Sequence, residues 1–142
     1  MQTKSIEYVR ELLDKEDYTL VLCNGQGTIT SQKRGIAPLL ELYDKGVSLS
    51  TYSCADKVVG KGAAFLYALL EAKELFARII SENALKILER YEISVTYGTL
   101  VPYIINRRGD GMCPMEKAVL NIDSPSVALS AIREKYEELN TK

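Results

Sequence analysis

The sequence predicts an α/β protein, with helices layered on a sheet whose crossover-linked strands run parallel. Three observations lead there. Apolar residues recur at helical spacing in several stretches, short runs of strand-forming residues lie between them, and Gly, Pro or Ser punctuates many of the joins. At 142 residues the chain has the length of a single domain, residues 1–142. A chain of this size buries roughly two-thirds of its unfolded surface, so disulfides or a structural metal are not required.

Each element has a local reason. Ile6, Val9 and Leu13 make residues 3–15 an amphipathic helix. Tyr18 to Cys23 is a short apolar run, Asn24-Gly25-Gln26-Gly27 is turn chemistry, and Thr28-Ile29-Thr30 follows, which together predict a β-hairpin. A helix starts near Pro38 and stops at Gly46. Residues 54–71 are expected to form one helix, in which Gly60, Gly62, Ala63, Ala64 and Ala68 give a small-residue face for close packing on a sheet. Residues 74–80 read as a buried strand, and Ser81 caps the helix that follows. Ile93 to Tyr97 is a further strand, closed by Gly98. Residues 102–112 form a polar loop, and a short helix runs from Pro114 to about Leu120. Ser124-Pro125 opens the last helix, which carries Leu129, Ile132, Tyr136 and Leu139 on one face.

Composition narrows the function classes. The chain has 18 Lys+Arg against 19 Asp+Glu and no histidine. The balance removes the basic footprint of a general nucleic-acid binder, so no nucleic-acid partner is expected. The missing histidine excludes Ser-His-Asp and Cys-His catalysis and an imidazole base. Cys23, Cys54 and Cys113 are odd in number and widely spaced, which is not a disulfide framework. The charged N-terminal stretch lacks the apolar core of a signal peptide. No run approaches the roughly 20 apolar residues that span a bilayer, so no membrane contact is expected. These features predict a reduced, cytoplasmic protein.

The order helix, hairpin, helix, strand, helix, strand resembles the cytidine-deaminase-like fold. Cys54-Ala55-Asp56 stands where deaminases have His/Cys-Ala-Glu, and ELFARIISENALKILERYEISVTYG resembles their strand, Pro-Cys-x-x-Cys helix and strand. ADKVVGKGAA at 55–64 and NRRGDGMCPME at 106–116 resemble a small prokaryotic family of unknown function within that superfamily. The resemblance implies a three-layer α-β-α sandwich with a mixed sheet. It also implies a site where helix N-termini meet strand ends. Zinc deaminases need two cysteines on the second helix. Here that helix begins Ser81-Glu82-Asn83-Ala84, and Asp56 replaces the glutamate. No metal, no cofactor and no zinc deamination are therefore expected.

What remains is an anionic site. Helix starts near Cys54 and Ser81 offer free N–H groups, Lys57, Lys61, Asn83, Asn106, Arg107 and Arg108 could contact a phosphate or carboxylate, and Ser81 and Glu116 complete the ligand-binding candidates. The expected partner is an anionic or nucleotide-like small molecule. Capping and surface solvation are the competing readings of the same residues, of Asp56 and the Lys57–Lys61 pair in particular. Cys113-Pro114-Met115-Glu116 places a thiol at a helix start, where its pKa falls, with Glu116 opposing that shift. Cys54, Asp56 and Cys113 are thus the catalytic candidates, and a sulfur- or acyl-transferring thiol enzyme is the alternative function. An oligomeric interaction module, a homo-oligomer associating through the last helix, is the third. Tyr52, Tyr97 and Tyr103 either stack on a base or serve as rim and core residues.

Overall fold

The computed structural model describes residues 5–140. Positions 3 and 4 of the first expected helix lie outside them. The helix α1 (Ser5–Lys15) buries Val9 and Leu13, one turn apart. The hairpin follows as β1 (Leu20–Cys23) and β2 (Thr28–Ser31), paired antiparallel from Leu20–Ser31 to Cys23–Thr28. Helix α2 (Ala37–Asp44) has Pro38 in its first turn and ends at Gly46, whose φ of 74° is the left-handed conformation glycine accepts without strain.

The stretch expected as one helix over 54–71 divides. Residues Ser53–Val59 form strand β3, and only Lys61–Leu69 form helix α3. Gly60 is the extended residue between them, with φ −96° and ψ −178°. A Cβ there would be crowded, 3.2 Å from the Ile104 side chain and 3.4 Å from the Glu116 carboxylate. Cys54 and Ala55 look helical by composition. They form a strand because β3 lies between β1 and the following strand, with Ser53, Cys54 and Ala55 buried.

Strand β4 (Glu74–Ser81) runs directly into helix α4 (Glu82–Arg90). Ser81 is the N-cap, its Oγ accepting from Ala84 N at 3.2 Å. Strand β5 (Ser94–Val101) does not stop at Gly98 but passes through it. A Cβ at Gly98 would lie 2.8 Å from the Arg78 carbonyl oxygen, so the glycine serves close approach between strands. Helices α5 (Pro114–Ala118) and α6 (Pro125–Asn140) complete the chain. Among the described residues no helix is long and apolar enough to cross a membrane.

The sheet is open and mixed, in the order β2-β1-β3-β4-β5. β1 meets β3 antiparallel, whereas β3–β4 and β4–β5 are parallel. Helices cover both faces. On one, α1 packs Val9 and Leu13 against Val21, Ala55 and Phe76. The Phe76 ring lies between two guanidinium groups, Arg10 at 4.5 Å and Arg78 at 4.8 Å from its centroid, and Arg78 also pairs with Asp14. On the other face, α3 is the central helix, buried from Lys61 to Tyr67 and touching α2, α4, α5 and α6. The α6 face expected for self-association lies largely against this core: Ile132 is buried there, and Leu129 and Tyr136 pack beside it. Leu139 alone of the four is exposed.

The sheet changes phase part of the way along. Cys54, Leu75 and Ala77 face the larger core, while Ala55 and Phe76 face α1. Strict alternation would return Val59 and Ile80 to the α1 face. Both are instead fully buried in the larger core, and Val58 and Ile79 are exposed. The change falls at one row. Lys57, Arg78 and Gly98 drop out of the ladders, which resume at Val58–Ile79 and Ile79–Thr99.

Candidate functional site

Val59 and Ile80 are paired neighbours at the C-terminal ends of β3 and β4, so the starts of α3 and α4 stand side by side. Such helix starts carry free N–H groups and a partial positive charge. The end of β5 leads to a third element. Ile105 bridges to Met112, and Cys113 N donates to Ile104 O at 2.7 Å, which sets the start of α5. Glu116 is the third residue of α5.

These elements close on Glu116. Its carboxylate accepts from Lys61 N at 2.8 Å and from the Ser81 hydroxyl at 2.6 Å through one oxygen. Its other oxygen accepts from Ile104 N. The residue is only 1% exposed, and among the described residues no buried side-chain nitrogen or oxygen lacks a partner. The starts of α3, α4 and α5 therefore meet here, the first at Lys61 and not near Cys54 as expected, and the carboxylate held between them belongs to the chain itself.

Lys61 adds a second tie. It is buried, not part of a solvated face, and its ammonium donates to Leu120 O at 2.9 Å, just beyond α5. Burial, with the Arg90 charge nearby, pulls its pKa below that of an ordinary lysine, with Asp123 and Glu116 opposing. Lys57 does not share this face. It lies on β3, exposed, 3.7 Å from Asp17 beyond the end of α1.

Cys54 and Asp56 are not at a helix start, and that expectation is corrected. Both lie within β3, and at about 3.3 Å per residue Cys54 is on the order of 20 Å along the strand from Gly60. The thiol of Cys54 is fully buried, and burial, with Asp56 and Glu74 nearby, pushes its pKa far up. A thiol so placed is a core group rather than a nucleophile. Asp56 accepts from the Tyr67 hydroxyl at 2.6 Å and from Val58 N at 3.3 Å. Burial pushes its carboxyl up to about 7, and those two bonds pull against the rise. Tyr67 was not singled out from sequence. Its signal is the lone hydroxyl in a helix that is apolar after Lys61.

The remaining candidates divide between scaffold and surface. Asn106 organises its own loop: its Oδ1 accepts from Gly109 N at 2.8 Å and Asp110 N at 3.2 Å, and its Nδ2 donates to Asp110 at 2.9 Å. Arg107 and Arg108 are exposed on that loop, with Arg108 3.8 Å from Asp110. Asn83 is half-buried on the first turn of α4, and Cys113 is a half-buried free thiol at the start of α5. Of the three cysteines, Cys113 alone keeps a place beside the site. The Ile104 N–H was missed because a backbone donor leaves no mark on the residue type.

The donor set does not fit zinc. The start of α4, Ser81-Glu82-Asn83-Ala84, carries no cysteine, and Cys54 is distant. Among the described residues no three His, Cys, Asp or Glu side chains are placed to hold a metal ion.

Fold and site together define a mixed α/β protein whose helix starts, at the carboxyl ends of parallel strands, enclose a side-chain carboxylate. The chain belongs to the TM1506 family, a domain of unknown function (DUF1893), whose model matches residues 8–136. It is similar to the crystal structure of a DUF1893 family protein (TM1506) from Thermotoga maritima. The two are 29% identical with a TM-score of 0.85, over 97% of this chain and 92% of the other. No curated protein matches it.

Proposed function

We propose that this chain has the cytidine-deaminase-like fold without zinc deaminase activity, and that it binds a small anionic, nucleotide-like molecule in exchange for the Glu116 carboxylate. The strand order β2-β1-β3-β4-β5 and the helix starts at the ends of β3 and β4 support the fold assignment. The observation that carries the function is the convergence of Lys61 N–H, Ser81 Oγ–H and Ile104 N–H on one carboxylate. Such a cradle suits a phosphate or carboxylate of similar size. Glu116 belongs to a five-residue helix on the segment that also carries Arg107 and Arg108. Withdrawal of α5 would open the cradle, and the arginines would add charge-assisted contacts to the incoming anion. Three free cysteines suit a reducing, cytoplasmic compartment.

The test is thermal and urea unfolding of the wild type and Glu116→Ala, with formate, inorganic phosphate and nucleoside monophosphates added. Each buried donor left without a partner costs about 1–3 kcal/mol, and water will satisfy some of the three, so Glu116→Ala should lose about 3 kcal/mol. Formate or phosphate should restore part of that loss, and a nucleotide at a hundred times its Kd should stabilise the wild type by about 2.7 kcal/mol. If alanine prevents folding, Glu116→Gln keeps the shape and should gain more from added nucleotide than the wild type does. Absence of stabilisation by every anion in every protein overturns the proposal.

A further inference from the structure

We propose that β5 is a self-pairing edge through which two copies of this chain join their sheets antiparallel about a twofold axis. β5 ends the sheet, so among the described residues one side of its backbone has no strand beside it. Edges of this kind are normally blunted by charge, proline or a short strand. β5 has eight residues, Ser-Val-Thr-Tyr-Gly-Thr-Leu-Val, with neither a charge nor a proline among them, and most are exposed.

The phase change in the sheet fixes the register. Val95 lies in the row of Leu75 and Leu100 in the row of Ile80, both on the larger-core face. Thr96 lies in the row of Phe76, on the α1 face. Thr99 lies in the row of Ile79, opposite in phase to Ile80 and so again on the α1 face. A twofold axis between Tyr97 and Gly98 then sets Val95 opposite Leu100 of the second copy, Thr96 opposite its Thr99, and Ser94 opposite its Val101. Every such pair shares a face. A strand of unbroken alternation could not do this, because the paired positions would differ in parity. At the centre the exposed Tyr97 of each copy lies opposite Gly98 of the other. The Thr–Thr and apolar pairs are of the kind that favours pairing.

Charge complementarity selects a second copy as the occupant. The last turn of α4 carries the exposed Glu89 and the turn before β5 the exposed Glu92, and the loop after β5 carries the exposed Arg107 beside Arg108, which lies 3.8 Å from Asp110. Antiparallel pairing brings the acidic end of each copy toward the basic end of the other, twice over.

The experiment is light scattering with analytical ultracentrifugation on the full chain, from micromolar to millimolar. Wild type should form a dimer. Thr96→Lys with Thr99→Lys sets like charges opposite one another and should weaken dimerisation at least tenfold, while circular dichroism stays unchanged because both positions are exposed. Thr96→Lys with Thr99→Glu sets opposite charges across the axis and should restore the dimer. A wild type that is monomeric throughout, a double lysine variant that still dimerises, or a folded charge-swapped variant that does not recover each overturns the proposal.

Discussion

Replacing Asp56 with asparagine removes one titrating group from the middle of the sheet and keeps an acceptor for the Tyr67 hydroxyl. Asp56 pairs with Leu20 on one side and Ala77 on the other, with Tyr67 of α3 beneath it. Its folded-state pKa, pushed up to about 7 by burial, lies well above the roughly 3.9 of an unfolded aspartate. Between those values the native protein holds a proton that the unfolded chain has released. Stability therefore falls as pH rises through this window and levels off above about pH 7. An interval of about 3 pH units corresponds to about 4 kcal/mol, a ceiling for a partly exposed residue. The sequence has no histidine, so the window is free of the usual competing titration. Urea unfolding from about pH 4 to about pH 8 should show the wild-type midpoint drifting down. The Asp56→Asn midpoint should stay nearly level and exceed that of the wild type at the alkaline end. Parallel profiles for the two proteins would show that Asp56 ionises normally and refute the reasoning.

Two further outcomes follow from close contacts. Gly98→Ala places a methyl 2.8 Å from the Arg78 carbonyl oxygen, a backbone atom held by the sheet, and should cost about 1–3 kcal/mol in urea unfolding; a loss below about 0.5 kcal/mol would mean that the strands separate easily. In thiol labelling of the folded protein, the half-buried Cys23 and Cys113 should react first and Cys54 only on unfolding, because Cys54 is fully buried. Labelling of Cys54 at the rate of Cys113 would contradict the packing of β3.

Much of the fold was legible in residue type. The hairpin turn at Asn24–Gly27, Pro38 in α2, the Ser81 cap and the strand before it all carry local signals that the structure repeats. β3 was not legible, because Cys54 and Ala55 are small enough for a helix face and only burial on both sides of the sheet makes them a strand. β5 reads as ending at Gly98 because its reason for glycine is Arg78, twenty residues away on a neighbouring strand. At the site, Ser81, Lys61 and Glu116 were all named from sequence, but not what they do to one another. Lys61 contributes through its backbone N–H, Ile104 likewise, and Glu116 reaches Lys61 across 55 residues. Local patterns do not encode pairings of that span.

Because Lys57, Arg78 and Gly98 leave the ladder together, β3, β4 and β5 cannot drift independently. One added residue on the N-terminal side of this row in β4 alone would exchange Leu75 with Phe76 between the two cores, or else move the row out of line with its neighbours. Length changes among relatives should therefore collect in the turns that join the sheet to its helices. The three strands should keep their spacing from this row even where side chains differ.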